Sequence, residues 1–154
     1  MLAVGDTAPD FTLTAHDKSS VTLREMRGDR VVLAFFPAAF TGVCTKEMCT
    51  LSEGMSVLES DGASVLGISV DSLFSNSAFA EANDISFLLL SDVHRETVNA
   101  YGVALADFVI QGYTVAQRSV FVVEADGSIG YAWVADNPGQ EPDYEAVLAH
   151  CASP

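Results

Sequence analysis

The chain is poor in positive charge: 7 Lys and Arg stand against 21 Asp and Glu, for a formal net charge of −14 over 154 residues. A surface of that sign repels polyphosphates and anionic headgroups, which argues against nucleic acid and membranes as partners. Long apolar runs are also missing. The longest, Val31 to Phe36 and Phe87 to Leu90, fall far short of a bilayer span. No basic segment followed by an apolar stretch opens the sequence, so a secretory leader is not expected and the protein is expected to be soluble and cytoplasmic. Cysteine is scarce and odd in number (Cys44, Cys49, Cys151), which speaks against a secreted scaffold stapled by disulfides. The histidines, His16, His94 and His150, lie far apart with no paired ligand spacing, so no zinc site is expected.

What is present is a hydrophobic fraction of 49 %, enough for one domain over residues 1–154 with a real core. Alternating apolar and polar residues around a polar turn predict a hairpin from Phe11 to Leu23. "RVVLAFF" and "ASVLGISV" are continuous β-branched and apolar runs, the pattern of strands covered on both faces, and "ISFLLLS" is a third. Between and after them, "SLFSNSAFAEAN", "HRETVNAYG" and "DYEAVLAH" read as helices. "RSVFVVEADGSIGYAWVA" reads as a second hairpin turning at Asp126-Gly127. The result is an α/β chain with a central mixed sheet flanked by helices. Ala104 to Gln117 is left as a loop.

The stretch "PAAFTGVCTKEMC", residues 37 to 49, carries the chemistry. Pro37 ends the buried strand because proline cannot continue a central ladder. From Gly42 the period becomes helical: Cys44, Met48, Leu51, Met55 and Leu58 fall on one face, with Gly54 as a weak point. Cys44 therefore lies in the first turn of a helix, where free N–H groups and the positive end of the dipole favour a thiolate over a thiol. As the first member of the apolar stripe it should point inward, at the bottom of a small depression. Thr41 stands where it can cap the helix or offer its hydroxyl to something bound beside the sulfur. A thiolate needs a positive partner. Arg118 opens a strongly β-patterned strand, and on the residues alone it reads equally as that partner or as a surface arginine at a strand edge.

The run Pro37, Thr41, Cys44 matches P-x-x-x-T-x-x-C, and with "VGDTAPDFTL", "VTLREMRG", "LLLSD", "AYGV" and "RSVFVV" in order the chain resembles the peroxiredoxins, AhpE-type branch, over nearly its whole length. The resemblance implies a thioredoxin-like fold and a thiol peroxidase that needs no metal, flavin or nucleotide. By position it implies that Cys44 is the peroxidatic cysteine, Thr41 the hydroxyl on the peroxide, Pro37 the shield and Arg118 the guanidinium beside the sulfur. It implies a hydroperoxide substrate, a thiol reductant (thioredoxin-like, glutaredoxin-like or of low molecular weight) and a homodimer or larger homo-oligomer. Removing one donor from such a site costs on the order of a hundredfold in rate.

Cys49 departs from the single-cysteine AhpE pattern and instead resembles the bacterioferritin-comigratory (PrxQ) branch, in which a cysteine at this spacing resolves the sulfenic acid. Five helical residues give roughly 7.5 Å of rise and about 140° of rotation, so a Cys44–Cys49 bond requires the first turns to unwind. The other reading of Cys49 is a small residue packed on the helix flank. Cys151 reads as a half-buried helix residue, or as a resolving thiol for a second subunit. Glu47 either orients the arginine, as the resemblance suggests, or is a solvated helix acid. Two other classes stay open: dithiol exchange with proteins, for which Cys-x-x-Cys is the better spacing, and a peroxide sensor or holdase without efficient turnover. The excess of acid fits a high-salt cytoplasm, where dense salt screens self-repulsion. The melting temperature should then rise with added salt, and a melting curve indifferent to salt would count against that setting.

Overall fold

A computed structural model describes residues 2–154. Its centre is a mixed sheet of seven strands. Three carry the long apolar runs: β3 (Arg30–Phe35), β4 (Ala63–Ser69) and β5 (Leu88–Ser91). They pair in parallel, β3 with β4 and β4 with β5. The predicted hairpins take the two edges. β1 (Thr12–Ala15) and β2 (Ser20–Thr22) join through β1 antiparallel to β5, and β8 (Ser119–Val123) and β9 (Ile129–Val134) join through β8 antiparallel to β3. The spatial order is β2-β1-β5-β4-β3-β8-β9, which puts β3, the strand that leads to Pro37, well inside the sheet.

Alternation along these strands builds two cores. Val31, Leu33 and Phe35 of β3 face one side with Tyr101 and Phe121, while Val32, Ala34 and Phe36 face the other with Cys44, Met48 and Leu51. Four helices contribute to the second core: α1 (Gly42–Glu53), α2 (Met55–Ser60), α3 (Leu73–Ala82) and α5 (Tyr144–Ala152). α4 (Glu96–Ala100) contributes Val98 to the first. The single helical stripe expected from Cys44 to Leu58 is two helices, because the chain breaks at Gly54; the apolar face continues across the break through Met55 and Leu58. The segment Ala104 to Gln117, expected as a loop, holds a small ladder of its own, β6 (Ala104–Leu105) with β7 (Val115–Ala116).

The contact that seats α1 on the sheet lies at Gly67, in the middle of β4. A Cβ there would sit 2.6 Å from Leu89 Cδ2, 3.3 Å from Met48 Sδ and 3.4 Å from Phe36 Cε1. The missing side chain is what lets Met48, one turn after Cys44, lie flat on the strand. Gly67→Ala should destabilise the protein by about 1–3 kcal/mol through overpacking, read as a lower urea midpoint with unchanged m-value.

Candidate active site

β3 delivers the chain to Pro37, which is buried, and the following loop is fixed by two bonds: Ala39 N donates to Asp71 Oδ2 at 2.9 Å and Thr41 Oγ1 donates to Ala38 O at 2.8 Å. Between them Phe40 adopts a left-handed backbone (φ 67°), a conformation that costs a non-glycine residue about 1–2 kcal/mol. Its exposed ring packs edge-on against Phe79, with centroids 5.2 Å apart. Thr41 is the N-cap of α1 in extended conformation, but its side chain does not cap the helix, contrary to one of the two roles expected for it. The backbone N–H groups of Val43 and Cys44 consequently have no acceptor among the described residues. The hydroxyl of Thr45 instead donates to Thr41 O at 2.8 Å and steadies the first turn.

Cys44 points inward as the stripe predicts, but the expected open depression is closed: the residue has no exposed surface. Arg118 lies one residue ahead of β8 rather than within it, and at 1 % exposure it is not a surface arginine. Its Nη2 donates to Cys44 Sγ at 3.2 Å and its Nη1 to Glu47 Oε1 at 2.7 Å. Nε and Nη2 also donate to the Pro138 carbonyl, at 3.2 and 2.9 Å. The structure thus puts Pro37 and Thr41 on the chain leading into α1, Cys44 in its first turn, and Arg118 against the sulfur from just ahead of β8.

Glu47 is fully buried, with Oε2 lacking any partner among the described residues, so the solvated reading of this acid is excluded. Burial pushes its carboxyl up to about 7 despite the charge and hydrogen bond of Arg118, and Glu141 adds to the rise. At the other end of the pair burial favours loss of the guanidinium proton, but Cys44 and Glu47 together outweigh it and hold Arg118 above its ordinary range. The guanidinium is therefore the permanent charge and the carboxyl the member that can accept a proton. Sequence reasoning left Glu47 open, although a charged residue inside the buried stripe of Cys44, Met48 and Leu51 was the available signal. Asp71 and the Pro138 carbonyl were missed. A backbone carbonyl leaves no mark in residue type.

Cys49 is half-buried on the flank of the same helix, its Sγ 4.0 Å from Asn83 O. Since both cysteines lie within α1, the helical spacing applies, and a bond between them needs the first turns to open. Cys151 is buried in the second core rather than half-buried, and burial pushes its thiol up to about 11, with Arg30 opposing the rise. A group so enclosed and so reluctant to ionise is a poor nucleophile towards another chain. No cluster of His, Cys, Asp and Glu among the described residues is arranged to hold a metal ion, and no helix is long and apolar enough to cross a membrane.

The raised carboxyl gives stability a signed pH dependence. The folded state holds the Glu47 proton more tightly than the unfolded chain, whose carboxyl titrates near 4.5. The contribution is therefore complete at low pH and is lost as pH rises from about 4.5 through about 7, on the order of 3 kcal/mol in all. Urea unfolding of the parent and Glu47→Gln across that range should show the difference between them shrinking or reversing with that sign, and parallel pH curves would refute it.

Comparison with known proteins places the chain in a family. The AhpC/TSA family model matches residues 4–132. Alkyl hydroperoxide reductase E of Mycobacterium bovis is 40% identical over 146 residues, covering 93% of this chain and 92% of that protein. Peroxiredoxin Bcp of Escherichia coli is 37% identical over 133 residues, with 86% and 85% covered. The crystal structure of peroxidoxin BcpB from Mycobacterium tuberculosis has a TM-score of 0.87 at 28% identity and covers 98% of this chain and 97% of that one. With a thioredoxin-like arrangement of sheet and helices around a buried Cys44–Arg118 contact, the chain belongs to the AhpC/TSA family, the peroxiredoxins, which are thiol-dependent peroxidases.

Proposed function

We propose that Cys44 is the peroxidatic nucleophile of this chain and that hydrogen peroxide and organic hydroperoxides are its substrates. The observation that carries this is the Arg118 Nη2 contact to Cys44 Sγ at 3.2 Å, made by a buried cation at the unsatisfied N-terminus of α1. The thiolate attacks the terminal oxygen of the hydroperoxide in line with the O–O bond. An S–O bond forms, the O–O bond breaks, and the sulfur gives up two electrons. The departing oxygen leaves as an anion that takes a proton to become water or an alcohol, and Cys44 becomes a sulfenic acid. Arg118 and the free N–H groups of Val43 and Cys44 stand where negative charge moves, so they bind the transition state better than the ground state. The hydroxyl of Thr41 already gives its hydrogen to Ala38 O, so towards a protonated peroxide it acts as acceptor and orients the attacked oxygen. Pro37, buried and without N–H, closes the other wall.

In the second half of the cycle the Cys49 thiol attacks the sulfenic sulfur, forming a Cys44–Cys49 disulfide and water, and an external thiol reductant returns both to thiols. The burial of Cys151 favours Cys49 for this part. Three free thiols suit a reducing, cytoplasmic setting, and Phe40, Phe74, Val109 and Ile110, large apolar side chains left in solvent, are surface that a second copy of the chain would cover in a homodimer.

Stopped-flow oxidation followed by intact-mass analysis after one equivalent of hydrogen peroxide tests the scheme. Cys44→Ser should abolish fast oxidation and Arg118→Met should slow it about a hundredfold. The parent should lose two hydrogens mapped to Cys44 and Cys49, and Cys49→Ser should stop at one added oxygen. Fast peroxide consumption by Cys44→Ser would sink the assignment of the nucleophile, and a stable added oxygen in the parent would sink that of Cys49.

A further inference from the structure

The guanidinium of Arg118 has a third support besides Cys44 and Glu47. The segment from Ala135 to Asp143, which links β9 to α5, is bonded to Arg118 at two of its residues, Ala135 and Pro138. Ala135 N donates to the Arg118 carbonyl at 2.8 Å, and the Pro138 carbonyl accepts from Nε and Nη2. Around Pro138 the segment folds into a compact turn, with Gly139 N donating to Asn137 Oδ1 at 3.0 Å. Four of the five guanidinium hydrogens that arginine offers are thereby committed: one to Glu47, one to Cys44 and two to Pro138. A carbonyl differs from a carboxylate in this position. It fixes the orientation of the fork without neutralising its charge, which is left for the sulfur and for the departing oxygen.

The far end of the segment is held down by a carboxylate shared between two helices. Glu141 Oε2 pairs with Lys46 Nζ on α1 at 3.0 Å, and Glu141 Oε1 accepts from Tyr144 Oη on α5 at 2.7 Å. The Tyr144 hydroxyl, and Lys46 after it, hold the Glu141 carboxyl below its ordinary range, so it stays charged. Burial and the neighbouring carboxylates Glu141 and Glu47 keep Tyr144 protonated, so it stays a donor. Lys46 is one of the chain's two lysines and sits two residues after the nucleophile.

We propose that Glu141, seated by Tyr144 and Lys46, is a positioning residue for Arg118: it clamps the β9–α5 segment onto the first turn of α1 so that the Pro138 carbonyl holds the guanidinium against Cys44. The clamp acts through Arg118 and touches no substrate. It rests on the reading of Cys44 and Arg118 as the peroxide site, and it adds a requirement that the site's own motif does not contain.

The test compares two reactions of the same sulfur. Oxidation by hydrogen peroxide needs the guanidinium where the departing oxygen gathers charge. Alkylation by iodoacetamide expels iodide and has no such need, so the ratio of the two rates reports the placement of Arg118. Glu141→Ala should lower that ratio about tenfold, Tyr144→Phe a few-fold, and Tyr144→Phe in the Glu141→Ala background should add nothing further, because the hydroxyl acts through the carboxylate. A side chain that merely supported the fold would lower the melting temperature and both rates together. A ratio unchanged in both single variants, whatever their absolute rates, overturns the proposal. Should Glu141→Ala fail to fold, Tyr144→Phe, which keeps the ring and removes one hydroxyl, decides alone. A parent protein that shows no preference of Cys44 for peroxide over iodoacetamide would instead remove the underlying reading of the sulfur, and the clamp with it.

Discussion

A cation held against a sulfur, both buried from solvent, is the interaction on which the rest depends. Arg118 is almost wholly buried, and leaving a guanidinium so placed without partners would cost several kcal/mol. The fold meets that demand with a carboxylate and the sulfur from α1 and a carbonyl from the segment between β9 and α5. The same burial that makes the charge expensive makes its field strong at short range. Stability and chemistry are therefore set against each other at one residue, and the pairing with Glu47 is a compromise: the carboxyl lowers the cost of the buried charge, while its own reluctance to ionise limits how far it cancels that charge.

The sheet explains why these partners meet. β3 and β8 are antiparallel neighbours, with Phe35 opposite Ser119, so the end of one strand and the beginning of the other lie at the same edge. Pro37 follows the first and Arg118 precedes the second. The helix starting after Thr41 then folds back over Gly67, and its inward face brings Cys44 and Glu47 to the guanidinium in successive turns. Cys44, Glu47 and Arg118 meet through the sheet and α1, and the segment after β9 adds the Pro138 carbonyl. Their meeting is a product of register, one absent side chain and the helical repeat.

Much of this could be read from the residues because the signals were periodic. Runs covered on both faces named the three central strands, the stripe from Cys44 to Leu58 placed the sulfur inward, and Asp126-Gly127 marked the second turn. What escaped had no period. β6 and β7 are two residues each, too short for alternation to show. Gly54 reads as a weak point, but the full break there leaves the apolar face continuous, so the stripe itself does not show it. Thr41 faced two equally good partners, and only coordinates show that its hydrogen goes to Ala38. The segment from Ala135 to Asp143 works through a main-chain carbonyl, which any residue supplies.

The stop at Gly54 sets the length of chain that can come loose. α1 carries both Cys44 and Cys49, whereas Met55 and Leu58, seated in the core beyond the break, belong to a separate helix. The opening that the proposed Cys44–Cys49 bond requires falls inside that length: it takes the first turns of α1, and re-entry rewinds from the end anchored by Leu51. Helix relaxation on that scale takes roughly a microsecond or less. In the proposed cycle, closing the site would be quick beside the arrival of a reductant, and chemistry at the thiols would set the time the sulfur spends uncovered.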